Sequence, residues 1–369
     1  MSSKNFQTFF DCGSSKIRAG TFNENNNDEV FYAESEFFTD RSSLELKIQK
    51  IITLFEKDTN EYIDNIDLMI DSPRILSIGL SISKKLDGSK LKKTNVQFLI
   101  QEAKQQILKY HENHNITHII INNYKIDNAD YSYLPDEIRC HFISLDIIFI
   151  CLPIDLVLYF KKIFSNSNIL INKIFCSSYA KSINYKDNLN LSGYVSFIDV
   201  GFSKTSIVSY FKDKVLSLDV LPIGGNHITK DISQILEMDL ERAEQLKLNF
   251  TQNQKILNDE NISIEKLQKI IFARTEEILE LCAKSIESNP LILGGFKMVL
   301  MGEGAKILDN QYKDKISFSN DIDFLEETLE DICQSGFKYI RNLNKQEVVV
   351  VPKRQITQGF FENLFHFFK

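Results

Sequence analysis

The sequence has no C-x-x-C pair. Its six cysteines, Cys12, Cys140, Cys151, Cys176, Cys282 and Cys333, are scattered singly, which excludes a zinc framework and suits free thiols in a reducing compartment better than disulfides. There is no basic excess either. The net charge of -7 argues against a nucleic-acid partner, whose phosphate backbone requires a basic surface. No apolar run reaches the ~20 residues that a helix needs to cross a bilayer. The longest candidate, "FISLDIIFICLPIDLVLYF", is interrupted by Asp146, Pro153 and Asp155. No apolar segment precedes Asp11, so no secretory leader is expected. The remaining composition, 43% hydrophobic and 25% charged over 369 residues, is that of a globular chain with room for two domains.

The strongest local pattern is "NFQTFFDCGSSKIRAGTF". Apolar residues lead to Asp11, a small turn follows at Gly13, Ser14 and Ser15, and a second strand starts at Lys16 and ends near Phe22. This predicts a β-hairpin with an acid at the end of its first strand. The pattern returns in the second half of the chain as "GYVSFIDVGFSKTSIVSYF". There the acid is Asp199, the turn is Gly201 to Lys204, and the second strand is Thr205 to Phe211. A repeat of this kind implies two similar α/β halves, each opened by an acid-tipped hairpin. Backbone N–H groups in such turns can cradle phosphate oxygens. A carboxylate on each turn can hold Mg²⁺ through water.

Two further pieces carry glycine beside a helix. In "DVLPIGGNHITKDISQIL" a strand ends at Pro222, and Gly224, Gly225 and Asn226 open a helix near Thr229. A Gly-rich turn at a helix N-terminus is an anion site. In "FKMVLMGEGAKILDN" a strand runs into Gly302, Glu303 and Gly304 before another helix, and the glycines would let a ligand lie against the backbone.

In this order, the four pieces resemble the actin/Hsp70/sugar-kinase superfamily of ATP-binding proteins. "DCGSSK" looks like its phosphate-1 motif, "DVGFSKTS" its phosphate-2 motif and "VLMGEGAKI" its adenosine motif. "LPIGGNHITKDISQIL" followed by "RAEQLKLNF" is similar to the FtsA family of bacterial cell-division proteins. The resemblance implies an actin-like ATPase fold of two RNase H-like halves around a nucleotide cleft. Its cofactors would be ATP and Mg²⁺, with Asp11 and Asp199 holding the metal and polarising the attacking water. Gly13, Ser14, Ser15, Lys16, Gly201, Ser203, Lys204, Gly224, Gly225, Asn226, Gly302 and Gly304 would border the nucleotide. Glu244 and Lys247 would touch the adenosine; from spacing alone they are equally an i,i+3 surface pair.

The implied domain plan is subdomain 1A at 1–80 and 169–197, an inserted FtsA-type subdomain 1C at 81–168, subdomain 2A at 198–229 and 291–352, and subdomain 2B at 230–290. A linker at 353–358 and a terminal helix at 359–369 complete it. Within the insert, Val96, Leu99, Ile100, Ala103, Ile107 and Leu108 lie near helical spacing. His111, His114, His118 and His141 are read as surface or packing residues rather than metal ligands.

Three residues depart from the family pattern. Ser203 and Lys204 stand where it has Gly and Thr, and Glu303 where it has Gly. A Cβ at 203 would narrow the approach of a phosphate. Lys204 would meet a phosphate as a point charge or face solvent; the Glu303 carboxylate would be unwelcome beside a nucleotide, though it could point outward. These departures weigh against hydrolysis more than against binding, so at most a weak ATPase is expected. No general base is assignable.

The chain ends "GFFENLFHFFK". On a helix at about 100° per residue, Phe360, Phe361, Leu364, Phe365, Phe367 and Phe368 fall within an arc of about 160°, with Glu362, Asn363, His366 and Lys369 opposite. This is either a helix docked on the body or an amphipathic helix lying in a bilayer interface. FtsA proteins end in a membrane-targeting helix, so the resemblance implies a peripheral protein on the cytoplasmic face of the inner membrane at the division site. It would polymerise there and bind the C-terminal peptide of FtsZ on subdomain 2B. Anionic lipid would attract Lys353, Arg354 and Lys369. The rival readings on this fold are a pilus-assembly adaptor and a small-molecule kinase.

Overall fold

A computed structural model describes residues 5–26, 28–37, 42–135, 138–186, 189, 192–251, 263–308 and 321–341. The expected linker and the terminal helix with Phe360, Phe361, Leu364, Phe365, Phe367 and Phe368 lie outside these residues.

Apolar runs of strand length build two sheets with one plan. In the first half, β1 (Phe6–Cys12), β2 (Lys16–Asn23) and β3 (Val30–Glu36) form an antiparallel meander. After α1 (Leu44–Thr59), the strands β4 (Asn65–Met69) and β9 (Leu170–Phe175) join parallel, giving the order β3-β2-β1-β4-β9. The second half repeats this with β10 (Tyr194–Val200), β11 (Thr205–Phe211), β12 (Lys214–Leu221), β13 (Phe296–Met301) and β14 (Asp321–Phe324), in the order β12-β11-β10-β13-β14. The repeat read from the two hairpins is therefore a repeat of whole sheets, and the fold is the actin-like ATPase fold.

A separate four-stranded sheet stands between β4 and β9. It has the order β5-β8-β6-β7, from β5 (Leu76–Lys85), β6 (His114–Ile126), β7 (Ala129–Tyr131) and β8 (Phe142–Pro153). Helix α2 (Lys93–Tyr110) covers one face and buries Val96, Leu99, Ile100, Ala103 and Ile107, while Leu108 is exposed. This unit differs from the expected 81–168. Pairing of β5 with β8 begins at Leu76↔Cys151, so the unit starts earlier. It ends at Pro153, the N-cap of α3 (Ile154–Asn166). Val157, Phe160, Ile163 and Phe164 of α3 bury into the first-half core, so this helix belongs to the first half.

Helix α4 (Ser177–Lys186) lies between the halves and is buried on nearly every side. The stretch 230–290 is helical where described. Helices α5 (Gly225–Ile235), α6 (Leu240–Thr251) and α7 (Ile264–Glu287) cover the second sheet, with Ile228, Ile232, Ala243, Ile271 and Leu279 in one core with Ile198 and Leu300. Helix α8 (Leu329–Arg341) returns to the first sheet. Its Phe337 stacks on Phe22 at 4.4 Å between centroids. A Cβ on its Gly336 would come within 2.5 Å of Met69 Sδ, which explains glycine at this crossing.

Of the four histidines in the insert, His118 is buried, His111 and His114 are half-buried and His141 is exposed. His118 is fully buried, its Nε2 accepting from the Cys176 N–H at 2.9 Å. Nδ1 then carries the proton and faces the Tyr339 hydroxyl at 2.9 Å. All six cysteines are free and buried.

Candidate functional site

In sheets of this kind a ligand cleft forms at the carboxyl ends of the parallel strands. Register brings particular residues there. Asp11 pairs with Met69, which places Asp71 two residues beyond on the same edge. Asp199 pairs with Met301, which places Gly302 beside it. The two hairpin turns close alike: Gly13 N–H donates to the Lys16 carbonyl at 3.0 Å, and Gly201 N–H to the Lys204 carbonyl at 2.9 Å. The turns also meet. Ser203 and Ser14 hydroxyls are 2.8 Å apart, and Ser203 N–H donates to Ser14 Oγ at 3.2 Å. Asp11 and Asp199 line one cavity of about 70 Å³, with Gly13, Ser14, Ser15 and Gly201 around it.

The cavity's carboxylates are not bare. Lys181, on α4, places Nζ 2.7 Å from Asp199 Oδ2 and 3.0 Å from Glu327 Oε2. Burial would lower this ammonium, but Asp199, Glu327 and Asp11 outweigh it and raise it. Glu327 is itself raised by burial, against the pull of Lys181, and accepts from the Tyr185 hydroxyl at 3.0 Å. Arg18 lies 3.4 Å from Asp11 Oδ2 and 3.0 Å from Glu303 Oε1. Lys16 bridges Glu36 at 2.7 Å and Glu303 at 2.9 Å. Of the two orientations open to it, Glu303 thus turns inward, because two cations of β2 attract it. Burial would raise its carboxyl, but Arg18 and Lys16 outweigh that and hold it below the usual range. Lys204 neither faces solvent nor stands free; its ammonium donates to the Asp71 carbonyl.

Asp11 and Asp199 were expected to hold Mg²⁺. As they stand they do not fit a metal pair: each carries a protein cation. Among the described residues no group of three His, Cys, Asp or Glu side chains is arranged to hold a metal.

A second cavity of about 280 Å³ adjoins the first, sharing Ser15, Gly201, Phe202 and Glu303 with it. Lys16, Gly225, Glu244, Lys247, Gly304 and Ile307 line it. Its size suits a nucleoside-sized group. Glu244 and Lys247 are not a surface pair. Lys247 Nζ lies 2.6 Å from Glu244 Oε2, 2.8 Å from Thr229 Oγ1 and 3.1 Å from the Gly225 carbonyl, and both side chains are nine-tenths or more buried. Burial lowers the Lys247 ammonium, opposed by Glu244.

The helix at the Gly-Gly turn starts at Gly225, four residues before Thr229. Its first donors are already used: Gly225 N–H goes to the Gly201 carbonyl at 3.0 Å and Asn226 N–H to the Phe202 carbonyl at 2.7 Å. The turn therefore locks α5 onto the Gly201–Lys204 turn instead of presenting those donors to an anion. Glycine at 224 follows from the same contact, since a Cβ would lie 2.5 Å from the Gly201 carbonyl. Gly302 has φ +90°, and a Cβ there would collide with Asp199 Oδ1 and stand 2.7 Å from the Val200 carbonyl. A Cβ on Gly304 would meet Val200 as well. These glycines let backbone approach backbone, which shapes the cleft from behind.

Sequence reasoning missed Asp71, Arg18, Lys181 and Glu327. Asp71 had a signal: "IDLMIDSP" is an apolar strand ending on an acid. The Asp71 carboxylate is raised by burial, accepts from Ser178 N–H at 3.0 Å and Ser206 Oγ at 3.1 Å, and leaves Oδ1 buried with no hydrogen-bond partner. It is a first-half acid in the cleft, of the kind a proton-accepting step needs. Lys181 and Glu327 had no local signal.

Comparison with known proteins finds the same resemblance. The family model described as "Cell division protein FtsA" matches residues 196–345. The FtsA of Buchnera aphidicola subsp. Acyrthosiphon pisum is 22% identical over 354 residues, covering 83% of this chain and 82% of that protein. The chain is similar to FtsA over most of its length. The FtsA of Bacillus subtilis is 33% identical over 128 residues, but that match spans only 30% of this chain and 29% of that protein. Among solved structures, the "PilM-PilN type IV pilus biogenesis complex" matches with a TM-score of 0.61 at 12% identity, covering 91% of this chain and 96% of that one. At such identity it supports the fold alone.

Proposed function

We propose that this FtsA-like chain is an actin-like, nucleotide-binding protein of the cell-division machinery that ties a filament partner to the membrane. The observation that carries the nucleotide part is the pair of adjoining cavities. Two alike turns, Gly13–Lys16 and Gly201–Lys204, meet at Ser14 and Ser203 and border the small cavity, which adjoins the larger one at Ser15, Gly201, Phe202 and Glu303. Phosphate groups would lie between the turns, and an adenosine in the larger cavity against α6. Arg18, Lys181 and Lys204 supply positive charge, and Phe202 an apolar ring at the junction.

In this reading the stretch 230–290 corresponds to subdomain 2B and the sheet unit of β5 to β8 to the inserted 1C. The 2B helices take the C-terminal peptide of FtsZ, where the acidic tail expected of a tubulin-like partner meets Lys247, Lys255, Lys266 or Lys269. Of these, Lys247 is buried against Glu244 and Lys255 lies outside the described residues; Lys266 and Lys269, exposed at the start of α7, are the better candidates, Lys269 as the surface partner of Glu265. The tail 359–369 lies in an anionic bilayer surface at the cytoplasmic face of the inner membrane, where copies of the chain assemble. Among the described residues no helix is long and apolar enough to cross a membrane; attachment in this reading is by the tail. The pilus-adaptor reading has only the fold in its favour.

Isothermal titration of the purified chain with ATP tests the nucleotide claim. Saturable heat with a rise in melting temperature is expected. No heat and no thermal shift at millimolar ATP would remove it.

A further inference from the structure

A divalent cation in a cleft of this shape would stand between the carboxylates of the two turns and the ligand's phosphates. In this chain that place is taken from within. Lys181 Nζ sits 2.7 Å from Asp199 Oδ2, where a carboxylate's counter-ion belongs, and its side chain is 5% exposed. It has nowhere to retreat. Helix α4 is buried on nearly every side, and Glu327 grips the same ammonium from the start of the α8 segment at 3.0 Å. Asp11 is matched in the same way by Arg18. A doubly charged ion approaching Asp199 would meet a fixed ammonium in direct contact with it, a repulsion at short range that water does not screen. The phosphates would find cations already in place, and at no ordering cost.

Resting on the nucleotide reading above, we propose that Lys181, with Arg18, stands in for the metal ion, so that this chain binds the phosphate groups of a nucleotide without a divalent cation. Lys181 acts as a phosphate counter-charge and Glu327 as the residue that positions it. The same arrangement bears on turnover: Asp199, held by Lys181, is not available to order a hydrated metal or an attacking water.

The test is ATP binding by the full chain, measured by titration calorimetry in EDTA and again in millimolar MgCl₂. The expected result is the same affinity within about twofold in the two buffers. Lys181→Met should weaken binding in EDTA by about tenfold or more, the scale of one lost charge-assisted contact, and MgCl₂ should restore part of it because Asp199 is freed. Because Lys181→Met leaves two buried acids unmatched, Lys181→Met with Glu327→Leu provides a variant with one fewer, and the same loss in EDTA is expected. ATP bound by the unaltered chain only when MgCl₂ is present would overturn the inference while leaving the nucleotide reading intact. Silence with ATP, ADP and adenosine in both buffers would instead remove the nucleotide reading and this inference with it.

Discussion

Replacing Lys247 by methionine keeps most of the side chain's volume and removes its charge, which leaves Glu244 buried with only Thr229 as a partner. At 2.6 Å the pair's gross attraction is about 6 kcal/mol for an effective dielectric of about 20. Most of that is offset by the desolvation of both ions, so the pair's net worth is small. The loss on breaking one side is not, because an unmatched buried charge remains, and such losses run at roughly 3–5 kcal/mol. For a cooperative unit of 369 residues, an unfolding entropy of roughly 2.1 cal/mol/K per residue converts this to a fall of about 4–6 °C in the melting midpoint. Glu244→Leu with Lys247→Met removes both charges together, and the midpoint should recover to within about 1–2 °C of the parent. Differential scanning calorimetry of the parent, Lys247→Met and the double variant measures all three. The double variant should still fail to bind adenosine nucleotides tightly, since the polar wall of the larger cavity is gone. If Lys247→Met alone melts with the parent, the buried contacts of Lys247 to Glu244, Thr229 and the Gly225 carbonyl do not hold α6 to α5.

Three other outcomes are expected. Gly302→Ala puts a Cβ at φ +90° against Asp199; a loss of roughly 1–3 kcal/mol from the backbone alone is expected, with weakened ATP binding, read by thermal melting and titration. Burial raises the Asp71 carboxyl above its unfolded value, so its ionised form costs stability once pH rises through the unfolded range near 4, and the cost persists at neutral pH. Asp71→Asn should therefore melt higher than the parent at pH 7 and about equally at pH 3.5, whereas a lower midpoint at pH 7 would contradict this. Phe361→Glu with Phe365→Glu should abolish co-sedimentation of the chain with anionic liposomes, and equal pelleting of variant and parent would count against the membrane role of the tail.

What could be read from the sequence was what is local in it. Both hairpins were legible with their turns, because a strand, a Gly/Ser turn and a second strand are contiguous, and because the sheets they found are covered on both faces and so show as apolar runs. Helix α2 was legible from its period, apart from Leu108. The limits of the inserted unit were not, since β5 starts where its partner β8 allows, and α3 looks like a continuation of β8 until Pro153 is seen to cap it. The charge pattern of the cleft was least legible. Lys181, Asp71 and Glu327 come from three distant segments that only the fold brings together. Glu303 was misjudged because its attraction to Lys16 and Arg18 crosses between the halves. The Gly224–Asn226 turn was read as an anion site because its use by the Gly201 and Phe202 carbonyls is a tertiary contact.

The most direct measurement is an experimental structure of the chain with ATP bound. The account predicts phosphates between Gly13–Ser15 and Gly201–Lys204, within hydrogen-bond reach of Lys181, with the adenosine beside Glu244 and Lys247. A nucleotide seated elsewhere, or phosphates out of reach of Lys181 and Arg18 at saturating ATP, would contradict it.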